Sequence, residues 1–404
     1  MNRVGSGAAR GAVFLFTGLT ALLLLAAGCS TLRRIPMPPR RTTLEAERIE
    51  LPAQAVSNFL IIEAHWDKYG PYHFLIDTGA SVTLISPELA RRYSDTSAPP
   101  IPEPEVRVKS ATGDTTLLPA VTLRRFFLGS ARFERVPALV YDCSALSAHL
   151  GVKIDGILGF PLFRDTLLTL DYPHARVLLI PGSAVPPSLS GSTIPFNNAS
   201  RTPLIPVTLG GETFIVLIDS GSDGPLNLNP LGLHVSFDNG PRWGGDVATL
   251  TGNAPQQVGR VGQTLQIGDY GLLRPVVALT DDLSSLGGGV LKNFTVTFDQ
   301  RHNQVTFYRE SSAPILLPSR RSAGLSFEKS PVYWRITSVV PGSPAAAAGI
   351  QPGDLCTRIN GEPVARWSLQ RYQDLMASAG QATFTFLRGT QEQNTLISIF
   401  DLVP

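Results

Sequence analysis

FLIDTGASVTLIS, residues 74–86, is the stretch on which the reading of this chain turns. An apolar run stops at Asp77, breaks into Thr78-Gly79-Ala80-Ser81 and turns apolar again. A carboxylate placed straight after apolar, β-prone residues and just before a glycine is expected at the end of a buried strand, on a turn that bends sharply. Taken alone, the stretch also fits an ordinary strand-to-turn junction, where Asp and Gly are common for conformational reasons. Its companion is IVLIDSGSDGPLNL at 215–228, where Asp219-Ser220-Gly221-Ser222 follows a second apolar run.

A chain of 404 residues is long enough for two or three domains. Hydrophobic residues make up 43% of it, which is a globular composition. With 34 basic and 32 acidic residues the formal charge is +2, so nothing draws it towards nucleic acid. The 37 glycines and 33 prolines, with little helical periodicity, predict a mainly β protein.

At the N-terminus, Arg3 and Arg10 precede an apolar segment from Ala12 to Ala27 that stops at Gly28-Cys29-Ser30. Such a segment is short for a membrane span, which needs about 20 residues. LLAAGCS resembles a bacterial lipobox, in which the cysteine becomes the lipidated first residue. The resemblance implies a signal peptide at 1–28, lipidation at Cys29 and a tether over 29–50, rich in Arg and Pro at its start. It implies an envelope location facing the periplasm, the outer membrane being favoured where two membranes exist. Cys143 and Cys356 are the other cysteines and read as small buried residues, with no disulfide framework.

From 51 onward the pattern is of short strands and turns. Phe59 to Ile62 leads to the Asp77 strand, and Ser86-Pro87 opens a helix through Tyr93. VRVKSATGDTTLL alternates on both sides of Thr112-Gly113-Asp114, a hairpin signature. Strands follow near Val121 to Leu128 and Phe133 to Val140. The stretch 181–202 is rich in Pro, Ser, Gly and Asn and reads as a linker.

After it the pattern repeats. TLTGN at 249–253 echoes SATGD at 110–114, and VLKNFTVTFDQRHNQVTFY at 290–308 lies over LFRDTLLTLDYPHARVLLI at 162–180 without a gap. The offset is 142 at the aspartates, 139 at the hairpins and 128 at the closing strands, so drift is confined to connections. An internal duplication is the expected cause.

An apolar run, Asp-Thr/Ser-Gly, an apolar-Leu-Gly segment and a strand of the TLDY type together resemble an aspartic protease of the retropepsin-like group. The first repeat has Ile157-Leu158-Gly159, and the second has Ser285-Leu286-Gly287, which departs further from the family pattern. The resemblance covers about 55–309 and implies a duplicated acid-protease β-barrel with two pseudo-symmetric lobes. It makes Asp77 and Asp219 the catalytic pair, supported by Thr78, Gly79 and Ser81 on one loop and Ser220, Gly221 and Ser222 on the other. Two carboxylates a few ångströms apart share one proton, which suits activation of a water against a peptide carbonyl. The hairpin tips, Thr112-Gly113 and Thr251-Gly252, are then expected as flaps over the cleft. Pro255 interrupts the returning strand of the second. Asp223 is expected as a solvent-facing turn acid, and His174 and His302 as exposed turn residues.

Other catalytic patterns are absent from the sequence: no HExxH, GxSxG, Walker-type loop or cysteine cluster. No metal or cofactor is therefore expected. From 323 the sequence AGLSF, then Ser343-Pro344-Ala345, Gly353-Asp354 and Asn360-Gly361, resembles a PDZ domain of bacterial periplasmic proteases. The resemblance implies a peptide groove in which Gly324, Leu325, Ser326 and Phe327 receive a C-terminal carboxylate, bordered by a helix over 368–380. Such a domain can also pack on the protease and bind nothing.

The expected organisation is a signal peptide at 1–28, a tether at 29–50, a first protease lobe at 51–182 and a linker at 183–202. A second lobe follows at 203–310, then a linker at 311–321 and a PDZ domain at 322–404. The expected function is a lipid-anchored aspartic endopeptidase acting on protein or peptide substrates, with C-terminal peptides at the PDZ groove. One chain supplies both aspartates, so a monomer suffices. The alternative is an inactive peptide-binding scaffold acting through the PDZ domain, and a third possibility is a zymogen cut within 181–202.

Overall fold

The strand that ends at Asp77 owes its place to its own side chains. Phe74, Leu75 and Ile76 are all buried, so the second half of the strand Tyr69–Asp77 is covered on both faces, as expected where it has a parallel neighbour. That neighbour is Gly156–Gly159, paired in parallel with Asp77 opposite Gly159. A computed structural model describes residues 38–95, 105–109, 115–184, 190–249 and 252–404. It is mainly β, with a large mixed sheet and a separate β-rich, PDZ-like region.

The surroundings of the two motif strands follow one scheme. Thr83–Ile85 runs antiparallel to Gly156–Gly159 and parallel to Ala131–Val140, which in turn pairs with Thr115–Leu128. Further along, Glu212–Ile218 is parallel to Ser285–Leu286. Leu226–Leu228 is antiparallel to that short strand and parallel to Val276–Leu279, which pairs with Gly252–Val261. Where the two halves meet, Thr166–Asp171 lies antiparallel to Thr295–Asp299. Thr169 stands opposite Thr297 there, with a 2.9 Å hydroxyl–hydroxyl hydrogen bond.

Local signals in the sequence are realised as caps. Ser86 caps the helix Pro87–Tyr93 by accepting from the Leu89 N–H. Ser368 caps the helix Leu369–Ser378, accepting from the Arg371 N–H at 3.1 Å. Leu369 and Met376 are buried on its inner side, with Tyr372 and Leu375 half-buried beside them. Trp334, Ile336 and Phe384 fill the core beneath.

The segments expected as connections hold more structure than their composition suggests. Within 183–202, Ser192–Pro195 pairs with Gln304–Tyr308, because Ser192 and Ile194 alternate inward in a stretch otherwise rich in turn formers. Within 311–321, Ile315–Leu316 joins Tyr270–Leu273 in parallel. In the expected tether, Arg41–Leu44 pairs with Ala131–Val140. The helix Ser144–Leu150 carries no clear signal in the sequence: its leading residue, Cys143, makes no side-chain cap. Both hairpins expected as flaps have their strands, Glu105–Lys109 with Thr115–Leu128 and Phe237–Thr249 with Gly252–Val261. Thr112, Gly113 and Thr251 lie outside the described residues, as does Cys29. Pro255 is accommodated next to a register shift in the second hairpin, where a missing N–H is tolerated.

Candidate active site

Asp77 and Asp219 stand at the ends of equivalent strands and converge on one point: a Cβ on Gly79 would lie 2.5 Å from Asp219 Oδ1 and 3.2 Å from Asp77 Oδ1. Their loops are locked by four reciprocal hydrogen bonds. The Thr78 hydroxyl donates to the Ile218 carbonyl at 2.7 Å and accepts from the Ser220 N–H at 3.0 Å. The Ser220 hydroxyl donates to the Ile76 carbonyl at 2.8 Å and accepts from the Thr78 N–H at 2.9 Å. Both hydroxyl residues are fully buried, so every donor and acceptor in this lattice would otherwise be without water.

The glycines are required by proximity. A Cβ on Gly79 would stand 2.5 Å from Asp219 Oδ1, and one on Gly221 would stand 2.5 Å from Asp77 Oδ1. Either would push the carboxylates out of place. Behind the loops, a Cβ on Gly159 would meet the Val82 carbonyl oxygen at 2.5 Å, and one on Gly287 the Ser222 carbonyl oxygen at 3.0 Å. The Ser285-Leu286-Gly287 segment therefore supports Asp219 much as Ile157-Leu158-Gly159 supports Asp77. The Asp219 N–H donates to the Leu286 carbonyl at 2.9 Å, which fixes the strand end.

The pair is electrostatically unequal. Asp77 Oδ1 accepts from the Gly79 and Ala80 N–H groups at 2.8 and 3.0 Å, while Asp219 Oδ1, among the described residues, accepts from Gly221 alone, at 3.0 Å. Burial raises both carboxyls above the usual carboxylate range, and backbone donors oppose this more at Asp77. Asp219 is raised well above that range, first by burial and then by the charge of Asp77. Burial and the mutual repulsion of two close carboxylates therefore disfavour the doubly ionised pair. Such a site can deprotonate a water with one oxygen and hydrogen-bond a carbonyl with the other.

Other groups gather here that the sequence did not reveal. Tyr172 is buried near both carboxyls, whose charges add to burial in raising its hydroxyl's pKa. Asp223 is half-buried and not the solvent-facing acid expected. Its backbone carbonyl accepts from Asn58 Nδ2 at 2.6 Å, and its carboxylate accepts from Gln373 Nε2 at 3.5 Å. Both partners are more than 140 positions away, so no local pattern announces them. Lys109, on the first hairpin, pairs with Asp282 of the second half at 2.5 Å. Ser81 and Ser222 lie on the two loops, exposed and half-buried respectively; the Ser222 carbonyl accepts from the Gly288 N–H at 2.7 Å. His174 and His302 are exposed turn residues, paired with Asp171 and Asp299 at 2.8 and 2.7 Å. Cys143 and Cys356 are free and buried, their thiols pushed up to about 12 by burial. Among the described residues no cluster could hold a metal ion.

In the PDZ-like region, Gly324, Leu325, Ser326 and Phe327 lead into and open the strand Leu325–Lys329. The Gly324 carbonyl accepts from Val340, and Phe327 packs edge-on against Trp334 and Tyr372.

Residues 62–162 match the aspartyl protease family and residues 335–387 a PDZ domain family. An aspartyl-protease-like domain and a PDZ domain are both present. No curated protein matches the chain. Among solved structures, it is similar to a PDZ domain protein from Parabacteroides distasonis, at 25% identity over 20% of each chain with a TM-score of 0.19. The chain thus spans about a fifth of the length of that relative. It is also similar to the HtrA3 PDZ domain bound to a phage-derived ligand, at 19% identity over 20% of this chain and 88% of that one, with a TM-score of 0.19.

Replacing Thr78 by Val keeps the shape but removes two of the four cross-loop bonds and orphans the Ser220 N–H and the Ile218 carbonyl. Chemical denaturation is expected to register a loss of about 2–4 kcal/mol. Asp219→Asn should act in the opposite direction. A carboxyl whose folded pKa is raised adds stability below its unfolded value near 3.8, and that stability is lost as pH rises through the folded value. At pH 7 the Asn variant is therefore expected to melt at a higher temperature than the unmodified chain, with the gap closing below pH 4. Melting curves across that range check both the sign and the window.

Proposed function

We propose that the chain is an aspartic endopeptidase whose two halves, 51–182 and 203–310, are duplicated pseudo-symmetric lobes contributing one aspartate each. The observation that carries this reading is the reciprocal locking of the Thr78 and Ser220 loops, which brings Asp77 against Gly221 and Asp219 against Gly79. The matching strand pairings around the two motifs and the Thr169–Thr297 contact between the halves support the duplication. Ionised Asp77 takes a proton from a water as that water attacks the scissile carbonyl carbon. Asp219 donates its proton in a hydrogen bond to the carbonyl oxygen, so charge developing there is met at once. Proton transfer to the nitrogen then lets the C–N bond break, and the carboxylic acid and amine products leave one proton on the pair.

The hairpins over the cleft would exclude water and offer strand edges to an extended substrate. The PDZ domain, 322–404, would recruit or position protein substrates by their C-termini. Asp77→Asn and Asp219→Asn are each expected to lower cleavage of an unfolded protein substrate by at least about a thousandfold while leaving the fold intact. For the unmodified enzyme, kcat/KM against pH should be bell-shaped. Its acidic limb should lie above 3.8, where Asp77 loses charge, and its alkaline limb well above that, where Asp219 loses its proton. Cleavage that survives both substitutions rules the reading out.

We also propose that residues 1–28 direct export and that Cys29 carries lipid, holding the enzyme at the periplasmic side of the cell envelope. Among the described residues no helix is long and apolar enough to cross a membrane. Cys29→Ser is expected to move the protein from the membrane to the soluble fraction and to abolish labelling by radioactive palmitate. Undiminished labelling refutes the anchor.

A further inference from the structure

The strand Leu325–Lys329 is the edge of its sheet. It pairs with Trp334–Val339 on one side and, among the described residues, with no strand on the other. With the helix Leu369–Ser378 it makes the two walls of the groove read above as a peptide site. An edge strand beside a helix accepts an extended peptide by backbone pairing. In this chain both walls are turned towards the protease-like part, and both are engaged by it.

The helix Ser144–Leu150 packs against the strand and the helix alike, so it spans the two walls. At its end, a Cβ on Gly151 would come within 3.2 Å of Ser368 Cα, the cap of the groove helix. Lys329, the last residue of the strand, donates to the His149 carbonyl at 3.3 Å with its ammonium 4.5 Å from the Trp334 ring centroid. On the helix wall, Gln370 Oε1 accepts from the Ser57 N–H at 2.8 Å, and Gln373 reaches Asp223, four residues beyond Asp219. At the other end of the strand, Ser326 Oγ accepts from the Asp246 N–H at 2.9 Å. Asp246 belongs to Phe237–Thr249, a strand of the hairpin expected over the cleft, and Gly245 beside it leaves no room for a side chain against Ser326.

We propose that the PDZ domain is docked in cis through its own peptide-binding side, so that the protease part and an extended peptide with a free C-terminal carboxylate compete for one groove. This rests on the reading of Leu325–Lys329 and Leu369–Ser378 as groove walls. The same contacts that fill the groove pin the second hairpin at Asp246 and brace the Asp223 end of the catalytic loop. A hairpin must lift to admit substrate, so the docked form restrains its own cleft. A peptide that takes the groove has to displace the helix Ser144–Leu150 and release the hairpin. Binding in the groove and opening of the cleft are thereby linked, and the linkage is reciprocal. Charged groups around this contact include Asp223 on the loop after Asp219, Lys329 on the PDZ strand and Arg320 just before the PDZ domain; burial depresses both basic groups, and the charge of Asp223 offsets this.

The test uses the full chain and a fluorescent pool of pentapeptides ending in Val, Leu, Ile, Phe or Ala, once with free carboxylates and once amidated. Asp223→Lys lies outside the groove and sets like charge against Lys329 and Arg320. Gly245→Ala, on the hairpin and likewise outside the groove, sets a Cβ against Ser326 Oγ. Freed from internal competition, both variants should bind the carboxylate pool about tenfold more tightly than the unmodified chain, with no gain for the amidated pool. Saturating peptide should also speed hydrogen exchange across residues 144–150 and 237–247 of the unmodified chain. If both variants melt cooperatively yet bind with unmodified affinity, or if exchange is unmoved by saturating peptide, the competition does not exist. Binding by no form of the chain removes the groove reading and this proposal together. Neither readout needs catalysis, so absent proteolysis with altered binding would count only against the role of the aspartates.

Discussion

Four hydrogen bonds between two buried hydroxyl groups and the backbone of the opposite loop hold this molecule's centre together. Thr78 and Ser220 each donate to a carbonyl across the interface and accept an N–H from across it. Everything near the dyad is conditional on that lattice. The glycines are small because the lattice draws the loops together, and the carboxyls come near each other because the loops are close. Burial of six polar groups satisfied by four bonds in an apolar setting is demanding, since a single missing partner leaves another group without water. That demand fixes the relative position of two segments separated by 142 residues.

Much of this was legible in the chain itself. The apolar runs before Asp77 and Asp219, the glycines two positions on and the caps at Ser86 and Ser368 are local signals, and each forms the element that its chemistry predicts. The spacing of the repeated segments pointed to equivalent strands, and the pairings around the two motifs follow one scheme. Even Ser285-Leu286-Gly287, poorer in family character, is placed where Gly287 can pass close to the Ser222 and Gly224 carbonyls. Backbone proximity asks for a glycine there and is tolerant of what precedes it.

What escaped the sequence depends on contacts between distant segments. Ser192–Pro195 looks like linker by composition and is a strand because Gln304–Tyr308 offers an edge. Asp223 reads as a turn acid until Asn58 and Gln373 are brought to it. The helix Ser144–Leu150 is short, without a side-chain cap, and takes its role from what it packs against. Local propensity is weak in such pieces, and tertiary contacts decide their fate.

The unequal number of backbone donors at the two carboxyls has a consequence for what the cleft can read. Among the described residues Asp77 is held by two N–H groups and Asp219 by one, so the two carboxyls have unlike surroundings. A polypeptide is a directional object, with its carbonyls and amides in a fixed order from one end to the other. If the pair acts as proposed, with an acid on one side and a base on the other, its cleft would present the scissile bond with a left and a right. Two identical halves would accept a strand in either sense. On the proposed reading, two unlike halves within one chain would distinguish the strand's head from its tail, and so could be matched to a partner that holds one named end.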